Sequence, residues 1–370
     1  MRIAIVTESF LPSTNGVTNS VIQVHRTLKT LGHEVMIIAP DAGSTPKQFD
    51  GSRVVRVAAI NVNKVLPIAL PNIFIERILR DFRPDVVHLA SPALMGAFAQ
   101  RSTLNLGIPT VAVYQTDYVG FSQHYKMKFA SGFLNQLIRN IHGNATINLA
   151  PSEFAARSLR RAGVTKISIW GRGVDLELFN PVHRSPKLFS QGKISVGYVG
   201  RLAPEKSIHR LRYFSEHPTM QLVVIGDGPE MQQLQRLMPH AIFTGKLTGV
   251  ELAQHVASLD LFIHPGDHET FCQAAQEALA CGVPVIAPKE GAVREFVLDG
   301  VNGLTLDMSL DSSFEGLTES HWDFLLSHET RTSARRSVED RSWAVINSQL
   351  IAHYELAISA MKFQQRRSAS

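Results

Sequence analysis

Several features are missing from this chain, and each absence removes a class of protein. Its 370 residues contain two cysteines, Cys272 and Cys281, nine positions apart in one helical pattern. Two thiols so placed cannot build a disulfide framework, and the content fits a reducing compartment. The first apolar run breaks at Thr7, far short of a signal-peptide core. No stretch reaches the ~18 apolar residues that a membrane span needs. The first strand signal is followed by Thr7-Glu-Ser-Phe-Leu-Pro-Ser-Thr-Asn-Gly16 and not by Gly-x-Gly-x-x-Gly, which argues against a dinucleotide-dependent dehydrogenase. A Walker A loop is absent, and so are His-Glu-x-x-His and paired Cys-x-x-Cys. A zinc centre therefore has no sequence support. Asp-x-Asp is also missing, its nearest approach being the turn-like Asp175-Leu-Glu177. We expect a chain that is cytoplasmic or attached to a membrane surface, without a metal and without a nucleic-acid partner.

What is present is a globular composition, 44% apolar and 19% charged, enough to build buried cores. The length suits two domains of about 150–200 residues each. The formal charge is only +5, but it is divided unevenly. Residues 1–178 carry 19 Lys/Arg against 11 Asp/Glu, and residues 179–370 carry 18 against 21. The first half suits an anionic partner, unless the imbalance is merely an uneven solvated surface.

Strand and helix patterns alternate from the start. Strands are expected at Arg2–Val6, His33–Pro40, Ser52–Ile60, Asp85–Ala90, Pro109–Tyr114, Thr146–Ala150 and Lys166–Trp170, with helices between most of them. A polar stretch, His183–Gln191, reads as a linker. The pattern then restarts with strands Ile194–Gly200, Gln221–Gly226, Ala241–Thr244, Leu261–His264 and Val283–Ala287, and includes a helix at Phe271–Ala280. The last ~60 residues read as helical. This alternation predicts an α/β chain of two tandem Rossmann-like doubly wound domains facing a cleft, 1–178 and 179–345. Ligands of such sheets sit beyond the carboxyl ends of the strands. Chemistry is therefore sought after Val6, Tyr114, Gly200 and His264.

Two loops stand out. In Val199-Gly-Arg-Leu-Ala-Pro-Glu-Lys206, Arg201 and Lys206 leave a strand end just before a helix. A forked guanidinium and a point charge there suit a diphosphate, although two exposed loop cations would read the same. In Pro265-Gly-Asp-His-Glu269-Thr-Phe-Cys-Gln-Ala-Ala-Gln-Glu277, Glu269 precedes a helix whose first amides, at Phe271, Cys272 and Gln273, are free to bind an anion. From Cys272 to Glu277 a helix rises ~7.5 Å, about the reach from a diphosphate to a ribose. Glu269 would then hold a sugar and Glu277 the ribose. The plainer alternative makes Glu269 a helix-dipole partner and Glu277 a surface residue. With no metal site in view, Arg201, Lys206 and the helix terminus would supply the positive partners of a leaving diphosphate.

These segments, with Gly171-Arg-Gly-Val-Asp175 and Gly226-Asp-Gly-Pro229, resemble glycosyltransferase family 4, retaining enzymes of the two-domain GT-B architecture. The likeness runs to about Trp343. Leu89-Ala-Ser-Pro92, Val113-Tyr-Gln-Thr-Asp117 and His268-Glu-Thr-Phe-Cys-Gln273 are similar to its bacterial GDP-mannose-dependent α-mannosyltransferases, which act on glycolipid acceptors at the cytoplasmic membrane face. The resemblance implies that Gly16 lets the backbone approach the donor and that Arg201 and Lys206 hold its diphosphate. It further implies that Glu269 binds sugar hydroxyls, that Glu277 binds ribose, and that Gly245, Lys246 and Leu247 lie where the backbone reads the base. Residues 346–370 would form a helix crossing back to the first domain. In one departure, Gln115 stands where many members have His, and Gln cannot act as a base. Asp117 is the substitute for a catalytic polar role, with His124 a weaker one, and Asp117 serves equally well as a turn former.

The expected activity is transfer of mannose from GDP-mannose, with retention and without a metal, to a membrane glycolipid or lipoglycan precursor. The expected partners are a nucleotide-sugar donor, a lipid-linked acceptor and an anionic membrane surface, at the inner face of the plasma membrane. Gly120-Phe-Ser-Gln-His-Tyr-Lys-Met-Lys-Phe129 mixes aromatics and cations on the acceptor side. Competing readings are a UDP-sugar-dependent transferase, a sugar-nucleotide epimerase and a nucleotide-sugar-binding protein without turnover.

Overall fold

The structure, a computed structural model, describes residues 1–13, 15–62, 66–69, 74–115, 128–189, 192–266, 269–308 and 313–369. It divides into two compact units, Met1–Arg172 together with Trp343–Ser370, and Gly173–Ser342.

The first unit contains strands β1 (Arg2–Thr7), β2 (Glu34–Pro40), β3 (Gln48–Phe49), β4 (Ser52–Val57), β5 (Ala59–Val62), β6 (Leu66–Ala69), β7 (Val86–Ala90), β8 (Thr110–Val113), β9 (Ile147–Ala150) and β10 (Ile167–Ile169). Eight form one sheet in the order β10-β9-β8-β7-β1-β2-β4-β3. It is parallel except at β3–β4. The single strand expected over Ser52–Ile60 is broken, since β4 ends at Val57 and, among the described residues, β5 pairs with β6 in a separate two-stranded sheet. The near-continuous apolar strands bury both faces. Ile3, Ile5, Val35 and Ile37 face one core, and Ala4, Val6, Met36 and Ile38 face the other, the two-residue alternation of a strand.

Helix Trp343–Ala369 places Ile346, Leu350, Tyr354 and Ala357 in the first of these cores. Their spacing keeps them on one helical face, and each fully buried large side chain is worth about 1.5–3 kcal/mol. Polar contacts fix the register. The Trp170 indole donates to the Ile346 carbonyl at 2.9 Å, and the Tyr354 hydroxyl meets His88 Nδ1 at 2.8 Å.

The second unit is a parallel sheet of β11 (Ile194–Val199), β12 (Met220–Ile225), β13 (Ile242–Gly245), β14 (Leu261–Ile263), β15 (Val285–Pro288) and β16 (Gly303–Leu306), ordered β13-β12-β11-β14-β15-β16. β16 escaped the sequence reading because its Gly-Leu-Thr-Leu is short and only half apolar. The first compact unit ends at Arg172, six residues before the expected boundary at Leu178. The Val174 amide bonds to the Arg341 carbonyl at 2.8 Å, and Leu176, Leu178 and Phe179 pack into the second unit's core. The second junction falls at Trp343, where the long helix begins.

In both sheets the strand order reverses beside the first strand, between β1 and β7 and between β11 and β14. Crevices at such switch points are where doubly wound sheets bind ligands.

Candidate active site

At the second switch point the loops after β11 and β14 lie against one another. A Cβ on Gly266 would stand 3.3 Å from the carbonyl oxygens of Glu205 and Lys206, and Arg210 donates to the Pro265 carbonyl at 3.0 Å. This contact brings Lys206 onto Glu269 as an ion pair, with side chains only 22% and 20% exposed. His264, which follows β14, puts Nε2 3.8 Å from the same carboxylate oxygen. Burial pulls the Lys206 pKa down, but the Glu269 carboxylate outweighs it and the pKa is raised. Burial likewise favours a neutral Glu269, yet Lys206, and after it His264, hold its pKa below the usual value. Each therefore keeps its charge at neutral pH. Arg201, more exposed, is ion-paired with Glu205.

Close packing extends to the neighbouring strand ends. A Cβ on Gly226 would fall 1.9 Å from the Gly200 carbonyl oxygen, and one on Gly228 would fall 2.3 Å from that of Leu202. Only glycine lets the loops after β11 and β12 approach so closely. The Gly226 amide also donates to the Gly245 carbonyl at 2.9 Å. The Arg201 loop and the segment Gly245–Leu247 are thereby tied together, with Lys246 exposed and Leu247 against the core.

The helix after β14 runs Gln273–Ala280, starting two residues later than expected. Cys272 precedes it in the left-handed region at φ 73°, so Phe271 and Cys272 belong to the approach and not to the first turn. The Phe271 ring stacks on Phe296 with centroids 5.0 Å apart. Gln273 donates to the Gly173 carbonyl at 2.9 Å. Glu277 is half-buried, and its pKa is pushed up to about 8, first by burial and further by Asp175, against a hydrogen bond from Gln273.

The sites expected in residues 1–178 fare differently. Gly16 opens helix Gly16–Thr30 with nothing crowding its Cβ position. Asn15 caps that helix by accepting from the Thr18 amide at 3.0 Å and donates to Ser9 Oγ at 2.8 Å. Gln115 is buried after β8, in a crevice shared with Ser91, Tyr114 and His142 that has no room for a water molecule. Asp117, His124 and the segment 120–127 lie outside the described residues.

Three residues were not assigned roles by the sequence. Glu205 and His264 touch the charged centre, and Glu8 accepts from the Ala93 and Gly96 amides at 2.8 and 2.9 Å. Glu8 stood within a quoted motif, but nothing local pointed to a helix more than eighty positions away. Among the described residues, the donor atoms of His264, Glu269 and Cys272 lie within 4.8 Å of one another and are the group able to hold a metal ion.

The chain is similar over 97% of its length, at 45% identity, to a GDP-mannose-dependent α-mannosyltransferase of Mycolicibacterium smegmatis, of which it covers 98%. The Glycosyltransferase Family 4 model matches residues 14–178, and that of the Glycosyl transferases group 1 matches 180–325. The chain is a family 4 glycosyltransferase. A more distant relative of this glycosyltransferase is the GDP-mannose-dependent α-(1-6)-phosphatidylinositol dimannoside mannosyltransferase of Mycobacterium tuberculosis. It is 26% identical, with 80% of this chain and 82% of that protein covered. Among solved structures, sucrose-phosphate synthase from Thermosynechococcus elongatus superposes with a TM-score of 0.79 at 19% identity, covering 97% of this chain and 99% of the other. That likeness establishes the GT-B fold for the glycosyltransferase, and the expected pair of parallel-sheet domains stands.

Proposed function

We propose that this glycosyltransferase moves mannose from GDP-mannose to a membrane glycolipid or lipoglycan precursor, retaining the anomeric configuration and using no metal ion. One observation carries the reading. The second switch point holds a protonated Lys206 against an ionised Glu269, a cation for the diphosphate beside an acceptor for sugar hydroxyls. The choice of GDP-mannose is supported by the name of the M. smegmatis relative. In the reaction, the bond from C1 to the diphosphate oxygen breaks and the acceptor oxygen bonds to C1 on the same face. The acceptor proton passes to the departing diphosphate. Arg201, Lys206 and the amides around Phe271–Gln273 offset the growing negative charge, Glu277 takes the ribose hydroxyls, and Gly245–Leu247 faces the base. Gly16 leaves the backbone open to the donor, and Asp117 takes the catalytic polar role that Gln115 cannot.

The lipid acceptor is supported by the name of the M. tuberculosis relative and by the cationic excess of residues 1–178, which suits an anionic leaflet. No helix among the described residues is long and apolar enough to cross a membrane, in keeping with a peripheral place at the inner face. Labelled GDP-mannose incubated with lipid extracts should yield a mannosylated lipid by thin-layer analysis. That product should vanish in folded Lys206→Ala and Glu269→Ala proteins, and full activity in both overturns the assignment. Calorimetry should show GDP binding more tightly than UDP. Gln115, which cannot accept a proton, favours a second reading, donor binding without turnover. It predicts GDP-mannose binding with no product from any extract.

A further inference from the structure

We propose that His264, Glu269 and Cys272 form a binding site for a thiophilic divalent cation, Zn²⁺ or Cd²⁺, that excludes the sugar-nucleotide donor. The three side chains come from the end of β14 and the approach to helix Gln273–Ala280, with donor atoms mutually within 4.8 Å. An imidazole, a carboxylate and a thiolate are ligands that d¹⁰ ions accept together, leaving a fourth position open. Their charges also balance, because a thiolate and a carboxylate carry two negative charges against the ion's two positive ones. His264 and Cys272 are buried at 2% and 8% exposure, while Glu269 opens the cluster to the crevice.

Burial raises the Cys272 pKa, and Glu269 raises it further, so without a metal the sulfur stays protonated. A coordinating cation reverses that preference and expels the thiol proton to solvent. The Ala275 amide faces the sulfur and favours its anionic form. Lys206 and His264 both face Glu269 Oε1, so an ion seated there would set its two positive charges beside the Lys206 ammonium and weaken that pair. The ion therefore occupies the carboxylate assigned to the sugar and repels the cation assigned to the diphosphate. This antagonism, though not the metal binding itself, rests on the donor reading above. Hard Mg²⁺, which prefers an oxygen octahedron, should not compete for the cluster.

The test is titration of Cd²⁺ into the full chain, followed by the ultraviolet thiolate-to-cadmium charge-transfer band and by proton release in weak buffer. One ion per chain, release of the Cys272 thiol proton, and a band kept in Cys281→Ala but lost in Cys272→Ala are expected. His264→Ala and Glu269→Gln, which keep the sulfur, should each weaken Cd²⁺ binding by at least about tenfold, and they serve if Cys272→Ala does not fold. A band that persists in Cys272→Ala, unchanged affinity in both ligand variants, or no band at all overturns the site. Excess GDP-mannose should raise the apparent Kd for Cd²⁺. If the band obeys the ligand variants but ignores GDP-mannose, the metal site stands and donor exclusion is overturned.

Discussion

The two switch points occupy the same place in the strand order of their sheets, yet different side chains close them. After β1, the Glu8 carboxylate reaches across to the helix that follows β7 and accepts from the Ala93 and Gly96 amides. A carboxyl group is thus already seated at that helix start; burial raises its pKa against the amide bonds, and it occupies the amides that another anion would use. After β11, Lys206 reaches across to the segment that follows β14 and pairs with Glu269. That crevice presents a cation, with Arg201 nearby on the same loop. Topology supplies two crevices: a buried carboxyl fills the amides of the first, and Lys206 stands in the second, where we propose the diphosphate binds.

The sharpest way to break this contrast is Lys206→Ala. It should lower kcat/KM by about 10²–10³, the usual loss for one electrostatic donor at a reacting centre, and it should also lower the unfolding midpoint, because it leaves the largely buried Glu269 carboxylate unpaired. An equal activity loss in Glu8→Ala at unchanged stability would make the two switch points equivalent. Gly226→Ala should come next, destabilising the chain by about 3 kcal/mol in urea unfolding, because its Cβ meets the backbone oxygen of Gly200 and not a yielding side chain. Gly16→Ala, with open space around it, should cost less than about 1 kcal/mol. Glu8→Ala should cost about 1–2 kcal/mol, the value of a lost helix cap, measured by the same unfolding curves.

A further effect concerns pH. The folded pKa of Glu277 is about 8, above its ordinary 4.5. The native chain therefore holds a proton that the unfolded chain has lost, and stability falls as pH rises from about 4.5 to 8. Glu277→Gln should flatten that fall in thermal melts. If ribose selects the ionised carboxylate, GDP affinity should climb as pH rises toward 8 and level off above it. A pH-independent affinity in the parent chain would remove Glu277 from the ribose.

Much of the fold was legible because burial on both faces leaves long apolar runs. Residues 2–6 and 194–200 announce the first strand of each sheet, and the structure ends those strands within one residue of expectation. Short elements were not legible. β3 and β16 draw their stability from neighbours already in place, and two to four residues cannot establish a period. The start of helix Gln273–Ala280 was misread because Cys272 adopts a left-handed backbone that its residue type does not favour.

The site divides along the same line. Residue types and spacing in the sequence alone determined that Arg201, Lys206, Glu269 and Glu277 leave strand ends or line the following helix, which is where a parallel sheet exposes side chains. Only the tertiary structure decided that Lys206 lies on Glu269, that Glu205 holds Arg201, and that His264 and Cys272 share the carboxylate. The reason is physical. Strand and helix periods are set by neighbours a few positions apart. The pairing of charges 63 residues apart depends on loops that meet only in the folded chain, where a Cβ on Gly266 would stand 3.3 Å from the Lys206 carbonyl oxygen, and on a burial that makes leaving either charge alone costly.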